Sequence, residues 1–388
     1  MYQKFLVGRK IFLSLIALII SNFVFSQTIV FSQKTRSTIS SDKTVLVNGK
    51  EIFLNGIYYN GKKFTPEERR SDLDLFKAAG MNMIDASQIS EWPDINSFFE
   101  EAAARNIYLT CEVMFGPNGK GNDFIPKYKN KTAIIGWNTA DDSHRQFTVE
   151  RMKQRNSSIK KLDPHRLTYQ TVYKPTITIP YLPLTDMVWS YTYPVRSGAS
   201  GTNFINVQNL MDSLTKTYNT CYVGIPQAYN WAEHSSGKPE DRFPDAKEYR
   251  NFVYQYLVYG AKGIIPYSFT DAGRLPEVAP DLWEAIKTSV TEINVLTPYF
   301  LNGSFKRIIT GDRYLQAAYW KLKNTYCMVV VNVSNNTTKQ VSLKLPVSAG
   351  ASINDFFLNQ PSGCSINKQT VTGNIAPLDV HVYKLETK

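Results

Sequence analysis

Four acidic residues stand where short apolar runs give way to polar loops. Asp85 lies in Ile84-Asp85-Ala86-Ser87-Gln88 and Glu112 in Thr110-Cys111-Glu112-Val113-Met114; the pair Asp141-Asp142 follows Gly136-Trp137-Asn138-Thr139-Ala140. Aromatic and polar side chains gather at matching junctions: Tyr58, Trp137, Tyr193, Gln227, Tyr229, Trp231 and Asp271. Carboxyl groups with aromatic faces suit the cleavage of a glycosidic bond. One carboxylic acid protonates the leaving oxygen, while a second carboxylate attacks the sugar or activates water, at about 5.5 Å or about 6.5–9.5 Å from the first. The same residues also admit plainer roles. Asp141-Asp142 could cap a following helix, Asp85 and Glu112 could be satisfied hydrogen-bonding carboxylates, and the rings could pack under loops. Glu233 reads as a solvated loop residue and His144 as a loop residue rather than a base. The sequence has no Gly-rich phosphate loop, serine elbow or His-rich metal spacing, so neither cofactor nor metal is expected.

The elements that must position these residues alternate. Short apolar runs over Ile52–Tyr59, Met81–Ala86, Ile107–Phe115, Ile134–Thr139, Leu167–Val172, Met187–Thr192, Tyr222–Ala228 and Gly263–Phe269 read as strands. Amphipathic stretches between them read as helices, the last over Leu282–Leu296. Eight strand-helix units in about 250 residues match a (β/α)8 TIM barrel, in which the strand ends and the loops after them carry the chemistry. After Pro298 the pattern turns to short β runs (Tyr314–Lys321, Tyr326–Val333, Gln340–Leu345, Asp355–Leu358, Val380–Leu385) between turn residues, which predicts a small antiparallel β-sandwich.

Lys4, Arg9 and Lys10 precede an apolar run from Ile11 to Phe25, the layout of a signal peptide cleaved near Ser26. The expected organisation is therefore a signal peptide over 1–26, a barrel over 27–297 and a sandwich over 298–388, in an exported protein that leaves the membrane on cleavage. The formal charge of +11 comes from 44 basic and 33 acidic residues. The cations are scattered, which argues for a soluble basic surface and against a nucleic-acid partner. Cys111, Cys221, Cys327 and Cys364 lack CxxC spacing. They read as free thiols, with Cys327–Cys364 the one pair compatible with a disulfide.

In this order the motifs resemble the (β/α)8 glycoside hydrolases of the large retaining clan, in particular exported bacterial members with a β-sandwich tail. The resemblance rests on Val45-Leu46-Val47-Asn48-Gly49-Lys50 with Leu54-Asn55-Gly56-Ile57-Tyr58, on Gly80-Met81-Asn82, and on Gly136-Trp137 through Asp142. Further along it rests on Phe243-Pro244-Asp245 with Glu248 and Arg250, and on Leu282-Trp283 with Glu292. It implies a glycosidase acting on a poly- or oligosaccharide. The clan places Asn-Glu after strand four, so Asp142 inherits the acid/base position; its nucleophile ends strand seven, where this chain has Gln227. The second carboxylate is then expected at Glu112, Asp85, Asp271 or Glu233, or the enzyme inverts. A glycan-binding barrel without catalysis, and a lyase or transglycosylase on the same rim, are the alternatives. The sequence assigns a carbohydrate partner and no oligomeric state.

Overall fold

The structure is a computed structural model describing residues 35–113, 121–197, 203–234, 236–346, 351–357 and 363–386. The expected signal segment, 1–26, and residues 114–120 lie outside the described residues. A three-stranded antiparallel sheet comes first: β1 (Ser37–Ile39), β2 (Val45–Val47) and β3 (Lys50–Ile52). Among the described residues, eight parallel strands then close a barrel. They are β4 (Leu54–Tyr59), β5 (Met83–Ala86), β6 (Tyr108–Cys111), β7 (Ile134–Ala140), β8 (Leu167–Val172), β9 (Met187–Tyr191), β10 (Cys221–Ile225) and β11 (Gly263–Ile264). Helices α1 (Pro66–Ala78), α2 (Asn96–Ala104), α3 (Gly121–Tyr128), α4 (Val149–Leu162), α5 (Ile205–Thr217), α6 (Ala246–Val258) and α7 (Pro280–Asn302) alternate with the strands, except that β8 and β9 are joined by the short helical turns Pro175–Thr178 and Ile179–Leu184.

The barrel strands are apolar because both faces are covered. Leu54, Met83, Ile135, Leu167, Met187, Trp189 and Val223 fill the interior, and Val45 and Val47 of β2 join that cluster. Close strand contact also needs Gly56, where a Cβ would fall 1.9 Å from the Met83 carbonyl oxygen. Helix starts are written locally. Thr65 and Glu68 cap α1 reciprocally, with Pro66 at its first turn. Asp245 and Glu248 do the same for α6, which gives two of the motif residues a structural role. Arg250 pairs with Glu292 of α7 at 2.9 Å and donates to the Val380 carbonyl at 2.7 Å, tying α6, α7 and the C-terminal sheets together.

The C-terminal strands are β12 (Ser304–Ile308), β13 (Leu315–Leu322), β14 (Thr325–Asn332), β15 (Lys339–Lys344), β16 (Ser352–Asp355), β17 (Cys364–Asn367), β18 (Thr370–Ile375) and β19 (Val380–Glu386). They form a five-stranded sheet in the order β12-β13-β14-β19-β16 and a three-stranded sheet in the order β15-β18-β17. Ala317, Tyr319, Met328 and Val330 face the second sheet's Val341, Leu343 and Val371. The alternate residues Ala318, Trp320, Cys327 and Val329 join the core that includes the barrel helices. The central strands β13, β14 and β19 of the larger sheet are therefore largely buried on both faces, while its edge strands β12 and β16 are polar and more exposed.

The expected (β/α)8 barrel followed by a β-sandwich is the observed fold. Its details differ where local chemistry intervenes. The eighth strand is two residues long rather than Gly263–Phe269, since Pro266 has no N–H to give the ladder. Its continuation pairs at single points, such as Phe269 N–H to the Tyr58 carbonyl at 2.9 Å. Helix α7 carries Pro298 inside it and ends at Asn302, beyond the shift in sequence character. Strands β1–β3, β12, β17 and β18 are short or polar and gave no clear apolar run. All four cysteines are free thiols.

Behind β7 lies a buried polar knot. Asp163 accepts from Trp137 Nε1 at 2.9 Å and from Arg166 Nη1 at 3.2 Å, and Arg166 donates onward to the Ile134 and Lys131 carbonyls. Both charges are 1% exposed. Replacing Asp163 by Ala strands a buried guanidinium, and urea unfolding should register a loss of about 3–5 kcal/mol; a loss below about 1 kcal/mol would show that the knot is dispensable.

Candidate active site

The carboxyl-terminal ends of the barrel strands surround a hollow of about 280 Å³. Its lining includes Asp85 of β5, Glu112 just after β6, Asn138 of β7 and Asp141-Asp142 beyond it, Thr171 of β8, and Tyr191 of β9 with Tyr193 after it. Ile225 of β10 and the Tyr229, Trp231 and His234 that follow, Tyr267 after β11, and Tyr58 of β4 complete the ring. The hollow is two-sided. Every carboxyl group comes from the β5–β7 side, and the β9–β11 side supplies mainly aromatic rings. Tyr191 stacks on Tyr193 at 4.6 Å, and Tyr193 on Tyr267 at 6.0 Å; Tyr229 meets Tyr193 edge-on at 4.9 Å.

Two consecutive aspartates can face one hollow only if the strand's alternation is broken. Asp142 breaks it, with φ 46° and ψ 51°, a left-handed conformation that Asp tolerates better than most residues. Neither residue caps the short helix Ser143–Gln146, where no side-chain capping bond is made. Instead Tyr191 donates to Asp142, and Arg145 approaches the other Asp142 oxygen at 3.4 Å. Thr171 Oγ1 serves both aspartates. It donates to Asp141 Oδ1 at 2.6 Å and accepts from the Asp142 backbone N–H at 2.8 Å.

Glu112 accepts from Ser87 Oγ at 2.6 Å and from the Gln88 N–H at 2.9 Å, both on Oε2, so Oε1 is the oxygen left for water or substrate. Asp85 is 1% exposed. Its Oδ1 accepts from Thr110 at 2.6 Å and from the Tyr169 hydroxyl, while its buried Oδ2 has no partner.

Crowding of like charges in a recessed space raises carboxyl pKa values. Asp141 is open to solvent at the mouth of the hollow, yet protein surrounds it at that depth. This desolvation, followed by the charge of Glu112 and then of Asp142, pushes it up to about 7 against the opposing Thr171 bond. Burial is also the main cause at Asp85, raised to about 8 although Thr110 and Tyr169 stabilise its anion. Both groups therefore hold a proton close to neutral pH. Among the described residues, no group of three or more His, Cys, Asp or Glu side chains is arranged to hold a metal ion.

The structure thus brings Asp85, Glu112, Asp141, Asp142, Tyr58, Tyr193, Tyr229 and Trp231 together and leaves three expected site residues out. Trp137 is fully buried on the helix side of β7, bonded to Asp163. Strand alternation makes its neighbour Asn138 the inward residue. Gln227 is also fully buried; its amide accepts from the Val195 N–H at 2.9 Å and donates to the Val195 and Tyr229 carbonyls. It clamps the loop after β9, a task that needs a donor and an acceptor on one side chain and that no carboxylate can perform. Asp271 borders an adjoining hollow of about 400 Å³, where it pairs with His234 at 2.7 Å and accepts from Tyr267 at 3.1 Å. Glu233 is exposed and lies outside the lining.

Lining residues not singled out in the sequence are Ser87, Gln88, Asn138, Thr171, Tyr191, Ile225, His234 and Tyr267. Two were within reach of parity: Tyr191 is two residues before Tyr193, and Asn138 is opposite in phase to Trp137. His234 sits on a loop that no periodicity places.

No family model matches the chain. An alignment 185 positions long, covering 38% of the chain, is 24% identical to the β-galactosidase large subunit of Latilactobacillus sakei and spans only 29% of that protein. Among solved structures, a glycoside hydrolase superposes with a TM-score of 0.68 at 13% identity, over 92% of this chain and 97% of the other. A glycoside hydrolase family 5 protein from Bacteroides vulgatus gives 0.66 at 15% identity, over 91% and 93%. The α-amylase of Geobacillus thermoleovorans, solved with acarbose, gives 0.59 at 12% identity, over 86% and 98%. The chain has the barrel-plus-sandwich fold of these glycoside hydrolases.

Two outcomes follow from the bonding. Gln227→Glu loses both donated bonds and sets a carboxylate against two carbonyl oxygens; a loss of about 1–3 kcal/mol in chemical denaturation, with no gain in activity, is expected. Unchanged stability would refute the clamp. Asp85 binds a proton when folded that it lacks when unfolded, between about pH 4 and pH 8. Its contribution is present in full below that window and is lost as pH rises through it. Melting temperatures from pH 5 to 9 should therefore fall less steeply for Asp85→Asn than for the wild type, and parallel curves would contradict the raised pKa.

Proposed function

We propose that the chain is an exported glycoside hydrolase in which Asp141 is the general acid and Glu112 the partner carboxylate. The carrying observation is that Asp141 is accessible in a sugar-sized hollow and holds its proton near neutrality. What supports Asp141 over Asp142, the residue in the clan's acid position, is bonding: Asp142 is engaged as an acceptor by Tyr191 and Arg145. What supports Glu112 is its unengaged Oε1 in the same hollow as Asp141, whose pKa its charge raises. The absence of a carboxylate on strand seven no longer argues for a binding-only barrel, because Gln227 has a structural task.

In this reading the Asp141 proton passes to the glycosidic oxygen as its bond to the anomeric carbon breaks. Glu112 either adds to that carbon or removes a proton from the water that does. The aromatic side seats the ring by C–H contact and excludes water. Export rests on the basic and apolar pattern of residues 1–26.

Asp141→Asn should cut kcat by about 10²–10⁴-fold on a cleaved glycan while leaving binding in place; activity near wild type would remove Asp141 from the mechanism. The acid must be protonated, so kcat/KM should fall as pH rises through about 7. Thr171→Val removes a bond that favours the anion, so the alkaline limb should move to higher pH; a shift to lower pH would contradict the assignment.

A further inference from the structure

The hollow's own chemistry narrows the sugar it accepts. Glu112, Asp141 and Asp142 line it with Asp85, and among the described residues neither lysine nor arginine does. Arg145 reaches Asp142 but is itself an exposed side chain. The nearby Lys62 and Lys63 border the adjoining hollow instead, and Lys62 is paired with Glu91 at 2.6 Å. Arg196 lies over the outer aromatic Trp231 at 4.0 Å and does not line the hollow. With protons on Asp85 and Asp141, the carboxylates of Glu112 and Asp142 remain inside it and disfavour an anionic ring.

Its floor adds a specific contact. Asn138 bonds the Tyr169 hydroxyl, which donates to Asp85 Oδ1, where Thr110 also donates. Both acceptor directions of that oxygen are used by protein hydroxyls, and Tyr169 is held below by stacking on Trp189 at 4.0 Å. Oδ2 is buried, without a partner, on a residue that lines the hollow. A buried polar atom in this state needs a partner that the protein does not supply, a water or a ligand group. Because the other oxygen takes both donors, Oδ2 is the atom free to carry the carboxyl proton and to give it in a hydrogen bond.

We propose that the ring seated in this hollow is an uncharged sugar, one of whose hydroxyl oxygens accepts a hydrogen bond from the Asp85 carboxyl group. Asp85 then determines specificity and is neither base nor nucleophile. The inference rests on the glycosidase reading for its choice of ligand and deepens it by naming the class of sugar. A uronic acid would place its carboxylate against Glu112 and Asp142. A neutral hexose instead offers hydroxyls to the floor and C–H faces to Tyr193 and Tyr229.

The test uses the full chain carrying Asp141→Asn, titrated calorimetrically with nitrophenyl glucosides, galactosides and mannosides and with the corresponding uronides. Neutral glycosides should bind at least about 100-fold more tightly than their uronides. Tighter binding of any uronide than of its neutral counterpart, or no binding by either class, overturns the proposal. Hydrolysis by the wild type is measured on the same panel. Neutral ligands that bind without being cleaved would sink the glycosidase reading and leave this one standing. Asp85→Asn keeps a donor and should hold KM within about 3-fold, whereas Asp85→Ala should raise KM about 10-fold with little change in kcat. A collapse of kcat in Asp85→Asn would make Asp85 the base or nucleophile and overturn its assignment. Should the alanine variant fail to fold, wild-type affinity for the neutral ligand decides: it should weaken above about pH 8, as the donor proton is lost.

Discussion

Like charge confined in a recessed space is the constraint from which the rest of this site follows. Asp85, Glu112, Asp141 and Asp142 share a hollow of about 280 Å³. They cannot all be ionised there at low cost, so protons stay on the two whose surroundings disfavour the anion most. The barrel creates this arrangement by presenting the ends of three neighbouring strands on one side. Five neutral hydroxyl donors then tune it: Ser87 on Glu112, Thr171 on Asp141, Tyr191 on Asp142, and both Thr110 and Tyr169 on Asp85. The bonds to Asp85 and Asp141 favour their anions, and the raised pKa values of these two show that desolvation and mutual repulsion outweigh the bonds.

The opposite half of the hollow answers a different requirement. Tyr191, Tyr193, Tyr229, Trp231 and Tyr267 brace one another through stacked and edge-on contacts. Their burial pushes the phenol pKa values of the tyrosines upward, so they stay neutral. A rigid apolar face supplies contact area at little entropic cost when a ligand arrives. The Gln227 clamp holds the loop between β9 and α5 that carries Tyr193, so the amide supports the aromatic half.

The fold was largely legible because it is written in apolar runs. Both-face burial made the barrel strands continuous, and turn residues separated them from the C-terminal β pattern. What escaped was set by parity or by long-range bonding. Trp137 and Asn138 are adjacent in sequence and face opposite sides of β7, a distinction that a list of strand-end residues cannot carry. Asp141 and Asp142 defy parity together, since a left-handed residue turns both inward. Gln227 stood in a nucleophile's position by alignment of motifs, but its partners lie 32 residues away at Val195, where no spacing rule points. The β1–β3 sheet and β12 were missed for the opposite reason: β1–β3 are three residues each, too short to show a period, and β12 is too polar.

Asp141 keeps a proton near neutral pH because protein desolvates its carboxyl group and the charges of Glu112 and Asp142 face it. Carbon-13 NMR of the aspartate side-chain carboxyls, with the Asp141 signal identified by its loss in Asp141→Asn, measures this directly. The titration midpoint should lie near 7 and move downward when Glu112 is replaced by Gln and its charge is removed. A midpoint near 4, the ordinary value for an aspartate, would contradict it.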